Sequence, residues 1–265
     1  MKTFSRIRHE RYQAQLRRRI QDVLEQGGEP VELDPVKDEE EIALLSRMTR
    51  KLKLDSPEHR RLVKACEDGG TIEAAMDALG SPDPAIRRRG ALICGALQLE
   101  RALPWIELLI VDRNFAVRLA ASGAAGRIGG LRASDALLRA VHARRLPQAR
   151  AAVELSRAAP DLYVEEHIRD SAHSGAGPVL AMAAGLRRRR SSLEPLLDGL
   201  QAAKRRERSL RCRALGKLRD PAAAPTLLRM ARHDTSPQVR QSALRALRDL
   251  RVEVPESNPM EAMAR

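Results

Sequence analysis

Apolar residues follow a helical period along most of the chain, and one pattern of them returns about every 30 residues. Each clear copy carries an aspartate, then an apolar–Arg pair, then a run of small residues. The three clear copies read DPAIRRRGALICGAL at 83–97, DRNFAVRLAASGAAG at 112–126 and DTSPQVRQSALRAL at 234–247. The first two lie 31 residues apart at the apolar–Arg pair, and the third follows after 122 residues, close to four further periods. This spacing predicts three more units, near residues 149, 179 and 210.

A second apolar segment with a pair of leucines accompanies most of these copies. Such segments read PWIELLI, SDALLRAV, LEPLLDGL and PTLLRMA. A small-residue helix, a turn and a leucine-bearing helix, repeated at a fixed period, are typical of an α-solenoid. We therefore predict an all-α superhelix of six or seven helix pairs.

The segment before the array has a different pattern. Residues 1–27 predict a basic amphipathic helix, which the acidic linker GGEPVELDPVKD joins to a capping helix in DEEEIALLSRMTRKLKL. Ser56 and Thr71 predict the starts of two helices. The predicted division is 1–55 for this segment, 56–254 for the array and 255–265 for a flexible tail. The first helix either covers the open apolar end of the array or lies on an anionic membrane surface.

Composition agrees with closely packed helices. Apolar residues make up 43% of the chain but aromatic residues only 2%, which disfavours a β-sandwich because strands prefer β-branched and aromatic side chains.

Cys66, Cys94 and Cys212 lie far apart in helical segments, so we expect reduced core residues and no disulfide framework. The charged N-terminus has no signal-peptide pattern and no long apolar run follows it, so we expect a cytoplasmic protein.

The aspartate and apolar–Arg pattern resembles HEAT-like repeats of the phycobilisome-lyase type. It is clear at 83–97, 112–129 and 234–250 and looser in the units between them. The resemblance implies a right-handed superhelix with the second helices on its concave face, and it implies bilin lyase activity, for which the residues show no bilin site. It also implies a structural ladder in which repeat Asp and Arg pair between neighbours; its members would be Asp83, Arg87, Asp112, Arg118, Asp234 and Arg240. The alternative interpretation is a polyanion-binding row of the arginines that recur at this one position of the repeat: Arg87, Arg118, Arg150, Arg211 (after Leu210) and Arg240.

Positive charge is concentrated in the C-terminal part of the chain. The whole chain has a formal charge of +13, and residues 171–265 carry 19 Lys and Arg against 9 Asp and Glu. Such a local field favours an acidic partner. Basic residues at a helix start are unfavourable for the helix, so we predict partner contact by Lys204, Arg205, Arg206 and Arg208, and by Arg144 and Arg145 on the same edge two repeats earlier. The cluster at 187–190 ends a helix, where basic residues complement the dipole.

The second helix of the third repeat is unusual because it lacks a leucine pair. Its segment, PDLYVEEHIRDSAHS, places Tyr163, Glu165, Glu166 and His167 in one short stretch, and we predict that these residues contact a partner. Together with Asp170 and His173 they could ligate a divalent ion. Because no spaced ligand signature accompanies them, we predict neither a metal site nor any other cofactor.

Catalytic motifs are absent from the sequence, which has no GxSxG, no P-loop and no recognisable Cys/His spacing. Some HEAT-like proteins are DNA glycosylases that use concave Trp and Asp residues. Trp105 is the single tryptophan and no matching motif surrounds it, so we expect it to pack between helices.

These observations favour a non-enzymatic protein–protein interaction scaffold that binds a partner in the solenoid groove. The expected groove residues are Glu107, Asp135, Arg139, Glu165, Glu166, Arg169, Asp198 and Arg229. Two other functions stay open: nucleic-acid binding through the basic C-terminal half, and a lyase or chaperone-like action on a partner protein.

Overall fold

All regular secondary structure in the part of the chain that the structure describes is helical. The computed structural model describes residues 2–169, 175–198, 200–201 and 203–252, and these residues form fifteen α-helices and no β-strand. The predicted all-α class is therefore confirmed. The chain divides into two compact units, residues 1–150 and 151–265. The predicted tail, 255–265, lies outside the described residues.

The first unit begins with two helices that precede the array and continues with repeat helices. Its helices are α1 (Lys2–Gln26), α2 (Glu39–Met48), α3 (Pro57–Asp68), α4 (Thr71–Ala78), α5 (Pro84–Ala96), α6 (Leu103–Ile110), α7 (Phe115–Ile128) and α8 (Gly130–His142). Helix α9 (Gln148–Ala158) crosses the division. The second unit continues with α10 (Tyr163–Arg169), α11 (Gly177–Arg187), α12 (Leu193–Leu197), α13 (Arg205–Leu218), α14 (Ala224–His233) and α15 (Pro237–Asp249).

Polar caps and prolines set the starts of several of these helices. The Asp83 carboxylate accepts the Ala85 N–H at 2.7 Å ahead of α5, and the Asn114 side chain accepts the Ala116 N–H at 2.9 Å ahead of α7. Ser56 accepts the His59 N–H at 3.2 Å, as its sequence context predicts. Helix α13 differs, because Lys204 stands at its N-cap and makes no side-chain capping bond.

First helices lie side by side within each unit through small residues. In the first unit α5 packs on α7, and in the second α11 packs on α13 and α13 on α15. A Cβ added at Gly95 would lie 2.7 Å from the Cα of Ala124, and one at Gly216 would lie 2.7 Å from the Cα of Ala246. Glycine at these points therefore permits a backbone approach that no larger residue allows without a shift.

The N-terminal helices are part of the first unit. Leu16, Ile20 and Val23 of α1 are buried, and α1 packs on α3 while α2 packs on α5. The linker between α1 and α2 is fixed by Thr71, whose hydroxyl donates to the Val31 carbonyl at 2.6 Å and accepts the Leu33 N–H at 2.8 Å. Thr71 was expected to cap α4; instead it is the first helical residue, since Gly70 takes the cap in a left-handed conformation.

None of the described helices combines the length and apolar content required to cross a bilayer.

Candidate interaction surfaces

A two-pronged arginine–aspartate pair recurs in both units. In the first, Arg87 donates through Nε to Oδ2 of Asp112 at 3.0 Å and through Nη2 to Oδ1 at 3.2 Å. In the second, Arg208 donates to Asp234 in the same way, at 2.8 and 3.1 Å. Each pair joins consecutive repeats, 25 or 26 residues apart along the chain. Such planar pairs fix geometry as well as charge.

Both aspartates also accept a backbone N–H near the start of the next first helix. Asp112 accepts from Asn114 at 2.7 Å and Asp234 accepts from Ser236 at 2.8 Å. Burial by itself would raise the pKa of each carboxyl, but the hydrogen bonds from the arginine and from the backbone outweigh it. The pKa values of Asp112 and Asp234 are therefore lower than that of an ordinary aspartate.

The remaining residues of the predicted ladder make other bonds. Arg118 donates to the carbonyls of Asp112, at 2.8 Å, and of Arg145, at 2.9 Å. Arg240 donates to the carbonyl of Asp234 at 2.8 Å, and Asp83 caps its own helix. The shared role of this arginine position is thus to satisfy carbonyls in the turn before its helix, and an aspartate partner is present in only some repeats.

Arg208 belongs to this ladder, although the sequence suggested a partner contact for Arg208 and the ladder position for Arg211. The position lies four residues after the N-cap, which is Lys204 in α13, Asp83 in α5 and Asn114 in α7. Arg208 is consequently engaged with Asp234 and half-buried. The prediction that it faces a partner is wrong, because its guanidinium already binds a carboxylate and the Ala203 carbonyl.

Arg211 and Arg187 are internal arginines of the second unit. Arg211 is 4% exposed and donates to Oε1 of Glu207 at 2.9 and 2.7 Å, and also to carbonyls at the end of α12. Arg187 donates to the carbonyls of Ala159 and Pro160 at 2.6 and 3.0 Å. These two positive charges of the second unit therefore stabilise the fold through bonds within the unit.

The other members of the predicted basic edge are exposed. Lys204, Arg205 and Arg206 face solvent at the start of α13, and Arg144 and Arg145 face solvent after α8. Arg144 adopts φ +54°, and the Arg145 carbonyl accepts a bond from Arg118. The two groups belong to different units, so their common edge stays a prediction.

Helix α10 buries two residues that were expected at its surface. Tyr163 is 4% exposed and Glu165 is 1% exposed. Oε1 of Glu165 accepts hydroxyl bonds from Ser192 at 2.6 Å and from Ser191 at 3.2 Å, both from the next turn of the array. The prediction that Tyr163 and Glu165 contact a partner is therefore wrong, because packing within the unit covers both.

Two neighbours on α10 remain accessible. Glu166 is exposed, while His167 is partly buried, with its ring stacked on Tyr163 at 4.0 Å and its Nδ1 2.8 Å from the Tyr163 carbonyl. Asp170 and His173, which were considered as metal ligands, lie outside the described residues. Among the residues that are described, no three His, Cys, Asp or Glu side chains are arranged to hold a metal ion.

Three large apolar side chains are exposed on the second helices of the first unit, and we name them the apolar patch. It consists of Trp105 and Leu108 on α6 and Leu131 on α8, which are 48%, 65% and 63% exposed. Helices α6 and α8 pack side by side, and Glu107 links them through ion pairs to Arg132 and Arg139. Trp105 was expected to pack between helices. The structure corrects this, since the buried face of α6 is filled by Ile106, Leu109 and Ile110.

The expected groove residues differ in accessibility. Glu107 is partly buried in its ion pairs, whereas Asp135 and Arg139 are exposed beside it in the first unit. In the second unit the exposed members are Glu166, Arg169, Asp198 and Arg229. Glu165 alone among the eight is buried.

Residues 72–156 and 179–248 match a family model described as HEAT repeats. The chain belongs to the HEAT repeat family. The match confirms the predicted helical solenoid, whereas the narrower resemblance to the phycobilisome-lyase type stays a prediction. A search of curated proteins found no matching sequence. HEAT repeats commonly serve as protein-interaction scaffolds.

The cysteines of this HEAT repeat chain are buried thiols of low reactivity. Cys66, Cys94 and Cys212 are free and buried. Burial raises the pKa of each thiol to about 12, so the thiolate that nucleophilic catalysis needs is scarce at neutral pH. The three side chains fill space in the helical core as small apolar residues.

Proposed function

We propose that this chain is a non-enzymatic scaffold that binds a protein partner on the second helices of its first unit. The apolar patch of Trp105, Leu108 and Leu131 is the observation that carries the proposal. Isolated exposed leucines are common on protein surfaces, but here Trp105 and Leu108 lie one turn apart on α6 and Leu131 lies on the adjacent helix α8. Exposed apolar side chains of this size lower the solubility of a protein, and a bound partner would shield them from water.

The chemistry of the patch fits a protein partner. Burying a leucine side chain contributes about 1.5–3 kcal/mol, and interface tryptophans are frequent hot spots. The patch is bordered by Glu107, Arg132, Asp135 and Arg139, which provide the charged rim typical of specific interfaces. An amphipathic helix with apolar residues three or four positions apart would complement the apolar centre and the rim together.

Affinity capture by the full chain tests this proposal. Wild type is compared with Leu108→Glu and with Leu186→Glu, a matched variant in which an exposed leucine of the second unit is changed. We expect a protein that wild type and Leu186→Glu retain and that Leu108→Glu loses. Calorimetry with that purified protein should show at least about a 30-fold weaker affinity for Leu108→Glu, which corresponds to about 2 kcal/mol.

Two results would refute the proposal. One is that wild type retains no protein beyond the background of the resin; the other is that Leu108→Glu and wild type bind the same protein equally well. A lyase or chaperone-like action would instead be recognised by covalent modification or refolding of the captured protein.

A further inference from the structure

The first helices of the second unit carry a group of basic side chains that face solvent. On α13 these are Arg206, Arg213 and Lys217, seven and four residues apart, and on α15 they are Arg245 and Arg248, three apart. Those spacings place the members of each helix along one side. We name these five residues the cationic face.

The two parts of the cationic face lie on helices that pack directly on each other. Helix α13 packs directly on α15, with Gly216 against the backbone of Ala246. At 1.5 Å per residue, Arg206 and Lys217 are about 16 Å apart along the helix axis, and helices packed this closely have axes roughly 8 Å apart. The face thus presents five cations over an area comparable with several backbone phosphates of a duplex.

Internal acids do not neutralise the cationic face. The sequences of α13 and α15 contain two acidic residues: Glu207, which is buried against Arg211, and Asp249, at the last residue of α15. Within the described ranges, none of the five basic side chains lies at ion-pair distance from a carboxylate. The five side chains differ in this respect from Arg187, Arg208 and Arg211 of the same unit, whose guanidinium groups are hydrogen-bonded to carbonyls or carboxylates.

We propose that the cationic face binds the sugar–phosphate backbone of a nucleic-acid duplex without regard to base sequence. Four of the five residues are arginines, whose planar guanidinium groups match phosphate oxygens in two-pronged hydrogen bonds. Tyr163 is buried and no Phe, Trp or Tyr follows it in the sequence, so the surface of α13 and α15 has no such platform on which single-stranded bases could stack. For the same reason it lacks the aromatic anchors that favour insertion into a lipid surface.

The test measures binding of the full chain to a 20-base-pair DNA duplex by fluorescence anisotropy between 50 and 200 mM salt. The variant Arg213→Glu with Arg245→Glu reverses two charges of the face. The matched control, Arg229→Glu with Arg232→Glu, makes the same change in net charge on α14, a second helix of the same unit. Circular dichroism checks that both variants keep the wild-type helix content.

We expect the wild-type affinity to fall steeply with salt, with a logarithmic slope of about −4.5 for five phosphate contacts. Reversal on the cationic face should weaken binding on the order of tenfold or more at 50 mM salt and make the slope shallower by about 2. The control should keep the wild-type slope. Because this face and the apolar patch are tested by different variants, either proposal can fail without the other.

Three outcomes would overturn the inference. The first is that wild type does not bind the duplex at 50 mM salt. The second is that both double variants weaken binding equally, which indicates a diffuse net-charge effect. The third is that wild type binds vesicles containing phosphatidylserine more tightly than the duplex and that Arg213→Glu with Arg245→Glu removes the vesicle binding. The last outcome would assign the face to an anionic membrane.

Discussion

The arginines of α5 and α7 in the first unit are all engaged within the fold, whereas α13 and α15 in the second unit carry both engaged and solvent-facing arginines. In the first unit, Arg87 binds Asp112, Arg118 binds turn carbonyls, and Arg127 of α7 binds carbonyls of Ser46, Thr49 and Ala96. In the second unit, Arg208 binds Asp234 and Arg211 binds Glu207, but Arg213 on α13 and Arg245 on α15 face solvent. Position within the repeat therefore decides whether an arginine supports the fold or is available to a partner, and net charge alone does not distinguish the two.

The largest expected effect is loss of an internal arginine from the second unit. Arg211→Met would leave the buried Glu207 carboxylate without its cation, which should lower the free energy of unfolding by about 3–5 kcal/mol. Arg213→Met, two residues away on the exposed side of α13, should change it by less than about 0.5 kcal/mol. Urea titration followed by circular dichroism measures both, and similar losses would show that exposure does not separate the two arginines.

Removal of an internal arginine from the first unit should have the next largest effect. The Arg127 guanidinium donates to four acceptors, at 3.1, 2.7, 2.8 and 3.1 Å. Arg127→Gln should cost about 2–3 kcal/mol, because charge-assisted bonds are lost and carbonyls near α2 become unsatisfied. Hydrogen exchange should then accelerate in α2 and α7. Unchanged protection in α2 would contradict the assigned role.

Close packing of first helices should be equally sensitive in both units. Gly95→Ala and Gly216→Ala each bring a Cβ within 3.0 Å of the neighbouring helix, so each should cost about 1–3 kcal/mol. Gly80→Ala is the matched control, because its nearest neighbour is 3.8 Å away. Thermal denaturation of the three variants checks this expectation, and a loss for Gly80→Ala as large as the others would argue against it.

The smallest effect is expected in acid stability. Asp112 and Asp234 have lowered pKa values in the fold, so their ionised forms stabilise it above the ordinary aspartate pKa of about 3.9. This stabilisation is lost as pH falls through the lowered pKa values. The double variant Asp112→Asn with Asp234→Asn should start less stable at pH 7 and should lose less between pH 4 and 2. Parallel stability curves for the two proteins would contradict the linkage.

The sequence predicted those parts of the fold that depend on local signals. The period of about 30 residues, the small-residue first helices and caps such as Ser56 all led to the observed helices. The ladder register in α13 was predicted three residues late, since Leu210-Arg211 imitates the apolar–Arg pair and Lys204 provides no capping signal. Helical periodicity alone cannot decide between these two registers.

Contacts between repeats explain the remaining errors. Glu165 is buried because Ser191 and Ser192, 26 and 27 residues later, supply hydroxyl donors, and nothing in the local sequence of α10 indicates this. Trp105 is exposed because other residues of α6 fill the core. The occupation of Arg208 likewise depends on Asp234, in the following repeat. Each of these assignments requires the three-dimensional arrangement of neighbouring repeats.

One paired stability measurement tests the distinction between internal and available arginines most directly. Urea denaturation is followed for Arg87→Gln with Arg127→Gln, and for Arg213→Gln with Arg245→Gln, two variants with the same net charge. The first pair should lower the unfolding midpoint markedly, while the second should leave it at the wild-type value. Equal shifts of the midpoint in the two variants would contradict the distinction.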